Sequence, residues 1–208
     1  MHQSDRSTSP TTHLPITDAT EIDQLAQRYG APQRRAFKIQ ADDYIRAYRW
    51  RKDSDRRAEV VFAVEDPQGR IWLHAKAHYP SHIFRLPSGG VAWDEPVLDA
   101  LYREIEEETS LSVELKHFVG VIEYQFVDGP RIAHFASYVF HLVAGHGMPV
   151  PHTTEQISEF RAVLPGQLAQ VAADLRNLIG DRRGWGQWRA LAVDLVHEQL
   201  AGSTRTQE

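Results

Sequence analysis

The chain contains no cysteine. Disulfide scaffolds, thiolate zinc sites and cysteine nucleophiles are therefore excluded, and the composition fits a reducing compartment. Long apolar runs are missing too: no segment approaches the roughly 18 apolar residues that a membrane-spanning helix needs. The opening "MHQSDRSTSPTTHLP" lacks the apolar stretch of a secretory signal. There is no excess of positive charge. Lys and Arg number 23 against 28 Asp and Glu, a formal net charge of −5. That argues against a nucleic-acid partner bound through a broad basic surface, while leaving room for a local basic pocket. These absences lead us to expect a cytoplasmic protein with no membrane partner.

What is present is ordinary for a globular protein: 208 residues, 42% hydrophobic and 25% charged, the length of one domain with extensions. Residues 1–17, rich in Ser, Thr, Pro and His, are expected to form a disordered tail. An N-terminal extension at 18–33 holds a short helix, capped by Asp18, apolar at Ile22 and Leu25, and stopped by Gly30. Strand patterns follow in "RRAFKIQ", "DYIRAYRW", "AEVVFAVED" and "RIWLHAKAH". In the last, Ile71, Leu73, Ala75 and Ala77 share one face, with Trp72, His74, Lys76 and His78 on a half-exposed opposite face. A helix is predicted near 96–109. Two long strands joined across "VDGP" come next, then a short strand in "EQISEFRAVL". Helices at 166–201 pack on the preceding domain, and a polar tail at 202–208 ends the chain. Tyr124, Phe126, Tyr138 and Phe140 read as core aromatics, and Trp185 and Trp188 as docking the last helix. Strands, one helix, more strands and closing helices make an α+β fold.

The helix at 96–109 carries the unusual chemistry. Asp94 or Glu95 can cap its start, and Pro96 suits its first turn. Leu98, Leu101, Tyr102 and Ile105 form the expected apolar stripe. Glu104, Glu107 and Glu108 follow at i, i+3 and i+4, so three carboxylates share an arc of about 100° beside that stripe. A solvated acidic face is one reading. A hard-cation site is the other, with bound metal relieving the mutual repulsion.

The residues upstream decide between them. The stretch reads Gly89-x5-Glu95-x7-Arg103-Glu104-Ile105-x-Glu107-Glu108-x-x-Leu111. It resembles the Nudix box of the Nudix hydrolases, G-x5-E-x7-R-E-U-x-E-E-x-G-U, with U a bulky aliphatic. A chance match of this length is on the order of one in a million from average residue usage, so the solvated-face reading yields. Ser110 stands where the pattern has its second glycine. That position follows the helix end and favours a left-handed backbone, where serine costs about 1 kcal/mol. Upstream, "IWLHAKA" and "IFRLPSGG" match the family's strand with a basic residue, then an aromatic, then L-P-G-G. Lys76 and Phe84 fill the first two places, and Ser88 replaces one glycine.

The resemblance implies an α/β/α sandwich with a central mixed sheet, covering residues 34–165. It implies hydrolysis of a nucleoside diphosphate linked to another group, by water attack at phosphorus, with Mg²⁺ (or Mn²⁺) as cofactor. The metal ligands would be Glu104, Glu107, Glu108 and the Gly89 carbonyl. Arg103 and Glu95 would steer them, and Lys76 and Phe84 would contact the substrate. The general base stays open among Glu107, Glu108, Glu155 and Glu159. Subgroup signatures do not choose the substrate: Pro130 falls late for the ADP-ribose group, and Tyr124 falls early for the dinucleotide polyphosphate group. The isoprenoid isomerase branch needs a cysteine, and RNA cap removal fits poorly with the acidic balance. A non-catalytic nucleotide sensor is the alternative, opposed by the intact set of box carboxylates. The family's frequent dimers leave a homodimer open.

Overall fold

The structure, a computed structural model, describes residues 16–50 and 55–203. Of the tails expected at 1–17 and 202–208, residues 1–15 and 204–208 lie outside the described residues. The elements in chain order are α1 (Ala19–Tyr29), β1 (Gln33–Gln40), α2 (Asp43–Arg49), β2 (Arg56–Glu65), β3 (Ile71–Lys76), β4 (Ser88–Ala92) and α3 (Val97–Thr109). There follow β5 (Val113–Asp128), β6 (Arg131–Ala144), β7 (Ile157–Val163), α4 (Leu168–Arg176) and α5 (Arg183–Ser203). Among the described residues no helix is long and apolar enough to cross a membrane.

Strand β2 explains the architecture. Its interior is buried residue after residue, so it must be covered on both faces. The sheet runs β1-β5-β6-β2-β3-β7, with β4 also paired to β2. β2 lies parallel to β6 and antiparallel to β3 and β4, and β1 is parallel to β5, so the sheet is mixed. Ala58, Val60, Phe62 and Val64 face a core closed by α1 and α3. Val61 and Ala63 face a second core closed by α2, α4 and α5, which includes Ile45, Leu175, Trp188 and Leu195. Each fully buried side chain of this size contributes about 1.5–3 kcal/mol. The result is the expected α/β/α sandwich, with Tyr124, Phe126, Tyr138, Phe140, Trp185 and Trp188 all buried.

A buried polar chain pins α5 to the sheet. Arg189 Nη1 donates to Glu59 Oε1 and Oε2 at 2.8 and 2.6 Å. The Ser137 hydroxyl donates to Glu59 at 2.6 Å, and Tyr124 Oη lies 3.0 Å from Ser137 Oγ. Buried charge is tolerable here because both partners and their neighbours are hydrogen-bonded.

Several expectations are corrected. "DYIRAYRW" is helix α2, not a strand: Asp42 accepts from Ile45 N at 2.9 Å, and Tyr44 and Tyr48 lie one turn apart with ring centroids at 6.1 Å. Its aromatics fit spacing four as well as alternation, and the cap decides. Residues 16 and 17 are not free tail: Ile16 packs on the α3-side core, and Thr17 Oγ1 donates to Glu123 at 3.1 Å. β3 ends at Lys76, leaving His78 in the following turn, while Trp72 and His74 are buried by the layer above them. The last helix starts two residues early, at Arg183, and reaches Ser203.

Candidate active site

Helix α3 is set in place at both ends by other segments. Neither Asp94 nor Glu95 caps it. Pro96 holds the cap position without a side-chain acceptor, and Glu21 from α1 receives the Val97 N–H at 2.7 Å. Glu21 also pairs with Arg57, which donates to the Glu95 carbonyl at 2.9 Å and so ties the entering loop to the sheet. At the other end Ser110 is left-handed (φ 51°, ψ 24°), the conformation that its place in the box predicts. His152 N and Val150 N donate to the carbonyls of Glu107 and Thr109, each at 2.8 Å. These bonds satisfy last-turn acceptors and lay the 145–156 loop against the helix end.

The helix is rotated from the expected stripe. Tyr102 is 44% exposed, and the buried face is Val97, Ala100, Leu101, Glu104, Ile105 and Glu108. Two carboxylates therefore lie within the buried face, and Glu107 stands at its margin. Gly89 on β4 makes this arrangement fit. A Cβ built there would overlap Cγ, Cδ and Oε2 of Glu104, so the carboxylate rests on bare backbone.

Arg103 organises the outer half of the cluster. Its Nε and Nη2 clasp Glu95 at 2.8 and 3.0 Å, and Nη2 also donates to the Gly90 carbonyl at 2.9 Å. Its Nη1 reaches Glu104 at 2.8 Å and Glu107 at 3.2 Å. Burial works to raise the Glu95 pKa, but hydrogen bonds from Arg103 and the Ala92 N–H hold that carboxyl below its usual range. Glu104 is raised instead, because burial dominates and Glu107 and Glu155 add negative charge beside it.

The inner half centres on Glu108, 1% exposed. Lys76 Nζ lies 3.1 Å from Glu108 Oε1 and 3.0 Å from Glu155 Oε2. His74 Nδ1 lies 3.6 Å from Glu108 Oε2. Burial pushes Glu108 up to about 7, against the pull of Arg85 and Lys76. Burial, followed by the charges of Arg85 and Lys76, drives His74 well below its ordinary value, so its imidazole is neutral at physiological pH.

The fold thus brings together Gly89, Glu95, Arg103, Glu104, Glu107, Glu108 and Lys76. Two of the expected residues stand apart. Phe84 lies in the α5-side core with Arg161 Cζ 5.4 Å above its ring. Glu159 is exposed on β7 opposite Ala75, while Glu155 reaches Lys76 from the preceding loop. His74 was legible from strand parity, which places it on the Lys76 face. Arg85 carried no sequence signal beyond its place in "IFRLPSGG", and only the fold shows it beside Glu108 and Ser88.

Among the described residues no three His, Asp or Glu side chains converge into a ready-made metal cage. The repulsion expected to await a cation is relieved by Arg103 and Lys76. The donor set nonetheless fits a hard divalent ion. It is all oxygen, two of its carboxylates are buried with raised pKa values, and the Glu104 carboxylate sits where a side chain at position 89 would otherwise be.

A family model, the NUDIX domain, matches residues 55–181, more than half of the chain. The chain belongs to the Nudix family and is a pyrophosphohydrolase in class. No curated protein matches it. Similar solved structures include the E. coli dihydroneopterin triphosphate pyrophosphohydrolase, at 15% identity over 70% of this chain and 94% of that one, with a TM-score of 0.46. The MutT NUDIX hydrolase from Burkholderia pseudomallei is 23% identical over 67% and 96%, TM-score 0.42. A NUDIX hydrolase from Nitrosomonas europaea is 14% identical over 68% and 88%, TM-score 0.48.

Proposed function

We propose that this protein is a divalent-cation-dependent hydrolase that cleaves the diphosphate linkage of a nucleoside diphosphate joined to a second group. The observation that carries the reading is the seating of Glu104 on Gly89 with Glu108 buried behind it, two carboxylates that ordinary surface solvation does not explain. Glu104, Glu107 and Glu108 and the Gly89 carbonyl would hold the cation, Mg²⁺ or Mn²⁺. When bound, it would screen the diphosphate's charge and acidify water.

The chain's own residues supply the rest. Arg103, clasped by Glu95, orients Glu104 and Glu107, as partners behind metal ligands generally do. Lys76 balances Glu108 and is positioned to meet phosphate oxygens, while the neutral His74 excludes water from behind Glu108. Of the acids outside α3, Glu155 is the better-placed proton acceptor, since it shares Lys76 with Glu108. A cytoplasmic setting suits this reading, since no cysteine is present to need oxidation.

The test is a panel of nucleoside triphosphates, nucleotide sugars, ADP-ribose and dinucleotide polyphosphates, assayed with Mg²⁺ and Mn²⁺ and again with EDTA. Cleavage of at least one member, lost with EDTA and abolished by Glu108→Gln in a folded protein, is the expected result. Turnover by Glu108→Gln near the parent rate would remove that residue from the mechanism, and no cleavage of any member would favour a binding protein.

A further inference from the structure

A cleft of about 180 Å³ opens beside Gly89, walled by Tyr48 of α2, Arg56 of β2, Tyr79, Arg85 and Arg189 of α5. Its basic side chains differ in how far they are already matched. Arg189 is matched by Glu59, and Lys76 by Glu108 and Glu155. Arg56 is held by Asp55 at 3.2 Å and the Tyr48 hydroxyl at 3.3 Å.

Arg85 is different. It is only 6% exposed, yet every hydrogen bond its guanidinium makes goes to a neutral acceptor. Nε donates to the Tyr79 hydroxyl at 2.6 Å, and Nη1 donates to the Leu86 carbonyl at 2.9 Å and Ser88 Oγ at 2.7 Å. Among the described residues no carboxylate pairs with it, and its Nη2 donates to none of them. Its backbone is fixed too, through mutual N–H to carbonyl bonds with His74 at 3.0 and 3.1 Å. The nearby Glu108 acts on it only through its charge and is already paired with Lys76, so the Arg85 guanidinium is held by neutral acceptors alone, and its planar fork matches phosphate oxygens. Ser88, which stands where the Nudix pattern has a glycine, supplies one of the acceptors that hold the fork in place.

We propose that Arg85, oriented by Tyr79 and Ser88, is a phosphate-binding residue in the cleft beside Gly89, gripping a phosphate group of the substrate through its free Nη2 edge. The proposal rests on the hydrolase reading for the identity of the anion, not for which bond is cleaved. It makes a negatively charged phosphate ester or anhydride a requirement on the cleft side of the scissile bond.

The test is calorimetric titration with inorganic pyrophosphate in EDTA, where no metal-bridged binding occurs. The parent protein binds pyrophosphate. Arg85→Met weakens it roughly ten-fold, the scale of one lost charge-assisted hydrogen bond. Ser88→Gly, which keeps a residue the backbone readily accepts, weakens it by a smaller factor, because Nη1 loses one of its two acceptors and keeps the Leu86 carbonyl. A parent protein that does not bind pyrophosphate overturns the proposal. So does unchanged affinity in Arg85→Met, or in Ser88→Gly should Arg85→Met fail to fold. Arg85-dependent affinity without hydrolysis of any panel member would retain this site and remove the catalytic reading. Hydrolysis with Arg85-independent affinity would do the reverse.

Discussion

Gly89→Ala probes the contact on which the site depends. Gly89 is not among the residues with positive φ, so glycine is there for space and not for backbone freedom. A methyl group at that position would occupy the volume of the Glu104 Cγ–Cδ–Oε2 unit. The Glu104 side chain must then swing aside, giving up its 2.8 Å bond to Arg103 and leaving the oxygen cluster. Overpacking of this kind costs about 1–3 kcal/mol of stability, and displacing a reacting-site group by about 1 Å can cost roughly 100-fold in rate. We expect turnover to fall by at least that factor in a protein that still folds. Gly90→Ala is the control: there the added atom meets the tip of the flexible Arg56 side chain at 2.8–2.9 Å, which can move, so activity stays within several-fold of the parent by the same packing argument. The decisive measurement is a double-mutant cycle in urea. Once Glu104→Ala has removed the obstructing carboxyl, Gly89→Ala should cost almost nothing. A Gly89→Ala cost that is the same with and without Glu104 would refute the reasoning.

Three further outcomes follow from the same geometry. Ser110→Gly relieves a left-handed serine at the end of α3 and should add about 1 kcal/mol, a thermal midpoint rise of about 2–4 °C by calorimetry. Arg189→Met leaves Glu59 buried and unpaired and should cost about 3–5 kcal/mol in urea unfolding, part of it recovered by adding Glu59→Met. In EDTA, Glu108 binds its proton more tightly folded than unfolded, its pKa rising from 4.5 to about 7. Its contribution is therefore full below pH 4.5 and is lost as pH rises through 7. Stability should decline across that window, and Glu108→Gln should flatten the decline.

The sequence by itself picked out the candidate helix, whose spacing puts Glu104, Glu107 and Glu108 on one arc. The resemblance to the Nudix box added Glu95 and Arg103, and the strand parity of "RIWLHAKAH" put Lys76 and His74 on one face. Local signals also delivered the α+β order and the aromatic core, because burial periodicity is written residue by residue.

The tertiary structure decided what no local pattern encodes. The rotation of α3, which exposes Tyr102 and buries Glu104 and Glu108, is set by packing against β2 and β4. The capping of that helix comes from Glu21, 76 positions away. "DYIRAYRW" became a helix because Asp42 caps it and Ile45 buries against α5, although its alternation suited a strand equally well. Glu155 reaches the cluster and Glu159 does not, because the 145–156 loop hydrogen-bonds to the end of α3 while β7 turns Glu159 outward. Arg85 takes its hydrogen-bond acceptors from the nearby Tyr79, Leu86 and Ser88, but only the fold brings it beside Glu108 and into the cleft. Spacing along the chain constrains directions within one element, whereas charge balance and burial depend on which elements meet.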